Sequence, residues 1–429
     1  MSRTRFSIAL KSASISIAVA LLLMTGASAD TSYKVDSFIE SRGLGPAGTL
    51  IADKTGNIYG VTENGGTSGD GLAFELSRDV SGKLTYSVLY NFAGNADGQN
   101  PGAGLVLDHN GDLYGTTPLG GNPNGNSGIA YELTPAGDGQ WTETVLYTFC
   151  PEAACLDGAS PKSSLIFDGA GNLYGTTYSG GASNAGVVFE LSPTTMGPWT
   201  EKVLYSFTVQ AIGLAPQAGL IFDSFGDLYG TDPAGGTGKR CPGGCGFVYE
   251  LTPSSDGEWQ ETTTYNFTGG GDGGTPFGGL ISDSHGNLYG TTSEGEGKTY
   301  GTVFQLSLGG NGQWTETTLH TFVNTDGSGP RDAVALDRFG NIYGTTPLGG
   351  NARSCRDGCG TVFMLAPEGS GQYSETTLHY FTGSRGGYDG AAPLSGVLID
   401  HGAIYGTTPF GGVLGEGVLF RLKTSADSR

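Results

Sequence analysis

The chain has 429 residues and a formal net charge of −20, a balance that repels nucleic-acid phosphates and anionic membrane surfaces. Glycine reaches 78 residues while charged side chains make up only 14%, so the chain is neither a solvated disordered polyanion nor an ordinary helical protein. The glycines recur between short apolar runs, which marks them as turns rather than low-complexity filler.

Residues 1–29 read as a secretory leader. Arg3 and Arg5 precede the apolar run Ile15 to Met24, and Ala27-Ser28-Ala29 supplies a small-residue cleavage site before Asp30. The run is too short to span a bilayer comfortably, and no other long apolar run follows. The expectation is an exported, soluble, monomeric protein, periplasmic or extracellular, with residues 30–429 as one domain.

From Tyr33 onward the chain repeats. Near-copies of Gly171-Asn172-Leu173-Tyr174-Gly175-Thr176-Thr177 recur with tyrosines at Tyr59, Tyr114, Tyr174, Tyr229, Tyr289, Tyr343 and Tyr405. A fixed period of this size marks a repeat architecture. The third unit serves as template. Ser164 to Asp168 reads as a buried strand, Gly169 to Asn172 as a tight turn, and Leu173 to Thr177 as a second strand. Val187 to Leu191 reads as a third strand stopped by Pro193, and Trp199 to Phe207 as a fourth. No stretch after the leader has a sustained helical period.

Four strands in each of seven units predict an all-β fold, a seven-bladed β-propeller. Tyr33 to Phe38 matches a fourth strand that precedes any first strand. Val418 to Leu422 matches a third strand with no fourth after it. The N-terminal strand is therefore expected to complete the C-terminal blade and close the ring.

Repeated positions suggest their own reasons. The aspartates that end the first strands, Asp53 through Asp400, suit the turn that follows by accepting its backbone N–H groups. The glycine after each repeat tyrosine leaves room for a neighbouring aromatic. Trp141, Trp199, Trp259 and Trp314 fit packing between and along blades.

The Gly-Asn-Leu-Tyr-Gly-Thr-Thr motif, with Thr302-Val303-Phe304-Gln305-Leu306 and Thr361-Val362-Phe363-Met364-Leu365, closely resembles the GloVer tandem repeat of exported bacterial proteins, named from Gloeobacter and Verrucomicrobium. The resemblance covers the whole chain after the leader. It implies a repeat fold and export, and no activity. Members often carry a C-terminal anchoring segment, whereas this sequence stops at Ser425-Ala426-Asp427-Ser428-Arg429, so no surface anchor is expected. More loosely, the strand rhythm is similar to NHL-type propellers and to the lyase that opens streptogramin rings, at the level of fold alone.

Six cysteines fall in three close pairs, Cys150/Cys155, Cys241/Cys245 and Cys355/Cys359. In an exported chain these read as three local disulfides, and no histidine stands near them at zinc-like spacing. All three pairs fall in fourth-to-first or second-to-third loops, which share one face of a propeller. The same face carries Asp-Gly-x-x-Pro at Asp97, Asp157, Asp272, Asp326 and Asp389. Pro46 and Pro216 remain where the Asp is lost.

Five carboxylates are thus expected around the channel mouth as the candidate ligand site. They fit three roles: turn-making, binding of a ligand or a hard cation such as Ca²⁺, and glycoside hydrolysis by a carboxylate pair. Motifs for a serine nucleophile, a zinc protease, a phosphate loop or a dinucleotide site are absent. His320 and His379 stand where other units carry tyrosine and read as variants of a repeat position. The reading is a binding module for a carbohydrate or another extracellular polymer, or for a protein partner, with no required cofactor. A polysaccharide hydrolase or lyase and a structural envelope protein are the alternatives.

Overall fold

The computed structural model describes residues 32–121, 126–137, 139–152, 154–195, 198–208, 216–295, 300–350, 354–383 and 388–423. The leader expected at residues 1–29 lies outside them.

Seven antiparallel four-stranded sheets form the blades of a β-propeller. In the first blade the strands run Leu44–Ala52, Ile58–Asn64, Leu72–Arg78 and Leu84–Asn91, and their order in the sheet follows the chain. In the last blade Leu398–Asp400, Ala403–Thr408 and Val418–Lys423 are joined by Ser32–Ser37 from the other end of the chain. Ser37 pairs with Val418 and Ser32 with Lys423, the closure expected from the sequence. Among the described residues the only helix is one 3-10 turn, Glu40–Arg42.

Inside each blade the glycine after the repeat tyrosine faces a third-strand aromatic. Gly175 is registered against Phe189, and a Cβ on Gly175 would stand 2.7 Å from Phe189 Cζ. The other six units repeat this contact at 2.3–2.6 Å. Only glycine admits a fully buried ring at such a distance.

Between blades, the phenylalanine after each fourth strand packs edge-on against the third-strand aromatic of the next blade. Phe92 meets Tyr131 at 5.0 Å and Phe149 meets Phe189 at 4.9 Å. Phe381 meets Phe420 at 5.2 Å, and Phe38 meets Phe74 at 5.5 Å across the closure. Edge-to-face pairs at this separation gain about 0.5–1.5 kcal/mol beyond their buried area. The tryptophans pack between blades too, with Tyr59 against Trp141 at 6.4 Å and Tyr229 against Trp314 at 5.8 Å.

Outside the first blade the first strands are shorter than the apolar pattern suggested. In the third blade the run Ser164 to Asp168 pairs only over Ile166–Phe167, while Ala159–Pro161 pairs separately with the far end of the second strand. Between these two pairings the chain meets the neighbouring blade, where the Ser163 carbonyl accepts Thr116 Oγ1 at 3.1 Å. The same bond runs from Thr176 to Ala218, Thr231 to Gly278, Thr291 to Asp332 and Thr345 to Ser395.

Candidate functional site

The five Asp-Gly-x-x-Pro carboxylates each bond within their own unit. Asp97 accepts Tyr90 Oη at 3.0 Å and the Ala93 N–H at 2.9 Å. Asp157 accepts Tyr147 Oη and the Cys150 N–H, both at 2.9 Å. Asp272 accepts Tyr265 Oη at 3.1 Å and the Thr268 N–H at 2.8 Å. Asp326 meets His320 Nε2 at 3.1 Å and the Val323 N–H at 2.9 Å. Asp389 meets His379 Nε2 at 3.1 Å and the Thr382 N–H at 2.8 Å.

His320 and His379 thus stand in for the tyrosine as partner of the loop carboxylate. Burial acts to raise the Asp326 carboxyl, but the hydrogen bonds from His320 and Val323 outweigh it and hold the group below its ordinary value. These partners sit on or just after fourth strands, at one edge of each sheet, so each carboxylate is tied to the end of its own fourth strand, one per loop. Among the described residues no three His, Cys, Asp or Glu side chains come together as a metal-ligand set.

The prolines of the motif do interblade work in all seven units. Each lies on the glycine that precedes the third strand of the blade before it: Pro101 on Gly71, Pro161 on Gly128, and so on to Pro46 on Gly417 across the closure. A Cβ on these glycines would stand 2.4–3.5 Å from proline Cδ. The same glycines have φ of 83° to 105°, which side-chain-bearing residues rarely adopt. Their carbonyls accept the N–H of the phenylalanine after the fourth strand, as in Phe92 to Gly71 and Phe38 to Gly417, both 3.0 Å.

All three expected disulfides are formed: Cys150–Cys155, Cys241–Cys245 and Cys355–Cys359. The second braces the loop of Asp272, since a Cβ on Gly269 would lie 2.6 Å from Cys245 Sγ. The third braces the loop of Asp389, with Gly383 at 3.4 Å from both sulfurs by the same measure.

Past the prolines, the chain reaches the axis. Here the seven units meet in a ring of small residues. Gly48 abuts Ala103, Gly104 abuts Ser164, Gly219 abuts Ser164, Gly279 abuts Gly219, Gly278 abuts Asp332, and Gly396 abuts both Ala333 and Thr49. Asp332 occupies a position held elsewhere by Gly48, Ala103, Ser163, Ala218, Gly278 and Ser395. Its carboxylate accepts the Ala333 N–H at 2.7 Å, the Gly396 N–H at 2.6 Å and Thr49 Oγ1 at 2.9 Å. Burial nonetheless raises its proton affinity above that of an ordinary aspartate.

The residue between the proline and this ring is the one that differs in every unit. It is Ala47, Gly102, Lys162, Gln217, Phe277, Arg331 and Leu394 in turn. Lys162 Nζ lies 4.3 Å from the centroid of Tyr178, and the Arg331 guanidinium lies 5.0 Å from the centroid of Phe277, so both cations rest on aromatic rings. Glu63 reaches toward Gly102, where an added Cβ would stand 3.2 Å from its Oε1. Burial raises the Glu63 carboxyl and the Lys162 charge opposes that rise. The signal was in the sequence: a variable residue follows a proline that never varies. A pattern defined by what repeats leaves such a position out.

A crystal structure of selenomethionine-substituted virginiamycin B lyase from Staphylococcus aureus is similar, with 12% identity and a TM-score of 0.54 over 91% of this chain and 99% of that one. A catalytically inactive variant of virginiamycin B lyase from the same organism, solved with quinupristin, gives 12% identity and a TM-score of 0.53 over 92% and 99%. At this identity the likeness is one of fold and transfers no catalytic residue. No curated protein sequence matches the chain. The Gloeobacter/Verrucomicrobia repeat matches residues 24–241 and 237–429, and the chain belongs to that repeat family.

Proposed function

We propose that this propeller is an exported binding module that seats an extracellular carbohydrate at the axial mouth of its loop face. One observation carries the reading. Within seven units that otherwise repeat, the residue after each interblade proline changes every time, and sets Lys162, Gln217, Phe277 and Arg331 each beside a residue of the axial ring. A scaffold needs the repeat; a ligand needs particular groups at one point of it. Phe277 and Tyr178 supply ring surface, and Gln217, Lys162 and Arg331 supply donors for hydroxyl and carboxylate oxygens. Three disulfides suit an oxidising compartment. No helix among the described residues is long and apolar enough to cross a membrane.

The test is incubation of the purified protein with a panel of polysaccharides. Protein depleted into the insoluble fraction, new reducing ends and unsaturated products are all followed. Depletion without product, weakened in Phe277→Ala and Tyr178→Ala with unchanged melting temperature, is the expected result. New product would make the chain an enzyme, and the absence of both signals across the panel would reject carbohydrate as the ligand.

A further inference from the structure

The mouth carries an electrostatic preference of its own. Five of its seven post-proline positions are uncharged, and the two that are charged, Lys162 and Arg331, are both cations. This happens in a chain with 41 acidic and 21 basic residues. Both side chains are exposed. Neither makes an ion pair with a carboxylate among the described residues. Each is held on an aromatic ring, which fixes the charge in place; the Glu63 carboxyl, whose rise Lys162 opposes, offsets part of the Lys162 charge, so Arg331 is the less compensated of the two. The nearby Asp332 does not neutralise Arg331, because its oxygens are turned to Thr49, Ala333 and Gly396.

Resting on the carbohydrate reading above, we propose that Lys162 and Arg331 make the mouth selective for saccharides that carry a carboxylate, as uronic acids do. A guanidinium takes a carboxylate through two parallel N–H···O bonds, and an ammonium adds a point charge. The net acidity of the body sets the other limit. A densely charged polyanion is repelled by the surface at large, so the fitting ligand bears isolated acidic residues in an otherwise neutral chain, or one at its end.

The experiment is calorimetric titration of the full chain with two oligosaccharides of equal length, one ending in galacturonic acid and the other in galactose, at low and high salt. The acidic ligand is expected to bind about tenfold more tightly at low salt, an advantage that shrinks as ions screen the pair. In Lys162→Gln and Arg331→Gln the ratio of the two affinities falls several-fold, and in the double variant it approaches one, with melting temperatures unchanged. Equal affinity of the wild type for both ligands overturns the proposed selectivity while leaving carbohydrate binding in place. Failure of both ligands, and of the polysaccharide panel, overturns the two together. A preference that survives in the double variant places the acidic recognition elsewhere and overturns this assignment.

Discussion

Thr49 Oγ1 donates a hydrogen bond to Asp332 Oδ2 at 2.9 Å, across 283 residues of chain. The bond joins the first blade to the sixth. The Gly396 N–H on the same oxygen brings in the seventh blade between them. The ring closes at this point of the chain, so one carboxylate ties the two ends of the propeller at the axis. Removing it leaves three part-buried donors without their acceptor, a loss that would cost about 1–3 kcal/mol for a fully buried group and costs less where water can reach it. Asp332→Ala should therefore lower the melting temperature clearly. Thr49→Val, which loses only one donor, should cost about 1 kcal/mol. Equal and negligible shifts in both variants would show that the axis is held without this carboxylate.

The contact of Gly175 with Phe189 gives a second prediction. A Cβ at Gly175 would stand 2.7 Å from Phe189 Cζ and 2.9 Å from Leu165 Cδ2, and Phe189 is fully buried. Gly175→Ala should destabilise the protein by about 1–3 kcal/mol through overpacking. Shortening the opposing ring in Gly175→Ala/Phe189→Leu should recover part of the loss, because the two changes act on one contact. Thermal melts of the two singles and the double decide it. Strictly additive losses would mean that the steric account is wrong.

These two sites also mark what the sequence made legible. The glycine after the tyrosine recurs seven times, so its role could be read from its repetition. The seven blades, the closing strand and the three disulfides were legible for the same reason, since local spacing or periodic pattern specifies them. The Asp-Gly-x-x-Pro loops were legible as turns. The path from Asp97 to the ring residue Ala103 was not, because it depends on how the next blade packs against the chain between them. Asp332 and the residues after the prolines were hidden for the opposite reason. Each occurs once, and a single departure from a repeat has no pattern of its own until the fold brings seven such positions together.

The disulfides make the third prediction. Each closes a loop of only five or six residues, Cys241–Cys245 and Cys355–Cys359 being separated by 4 positions and Cys150–Cys155 by 5. Loops this short restrict the unfolded chain by about 2 kcal/mol each. Intact mass of the unreduced protein should be about 6 Da below the all-thiol value, one hydrogen for each cysteine in the three pairs. Cys241→Ser/Cys245→Ser should lose about 2 kcal/mol and loosen the Asp272 loop first, seen as faster amide exchange at Thr268 to Gly274. Free thiols in the native protein, or exchange that rises everywhere at once, would contradict this local role.

The carboxyl pairs between fourth strands and loops predict a pH profile. Burial first, and the charge of Asp97 second, push the Glu143 carboxyl up to about 7; burial and then Asp157 push Glu201 up to about 8. One oxygen of each is buried without a hydrogen-bond partner among the described residues. The ordinary value is 4.5, so between it and the raised values the folded chain holds protons that the unfolded chain has released. Stability from these two groups is therefore complete below about pH 4.5. It falls as pH rises toward 7 and 8, and is flat above. Glu143→Gln and Glu201→Gln keep the shape of the side chain and remove the charge. Both should raise the melting temperature at pH 9, leave it nearly unchanged at pH 4, and flatten the slope between. Melting curves of wild type and variants that run parallel from pH 4 to 9 would show that these carboxyls titrate normally, and that the Asp97 and Asp157 loops exert no charge on the neighbouring blade.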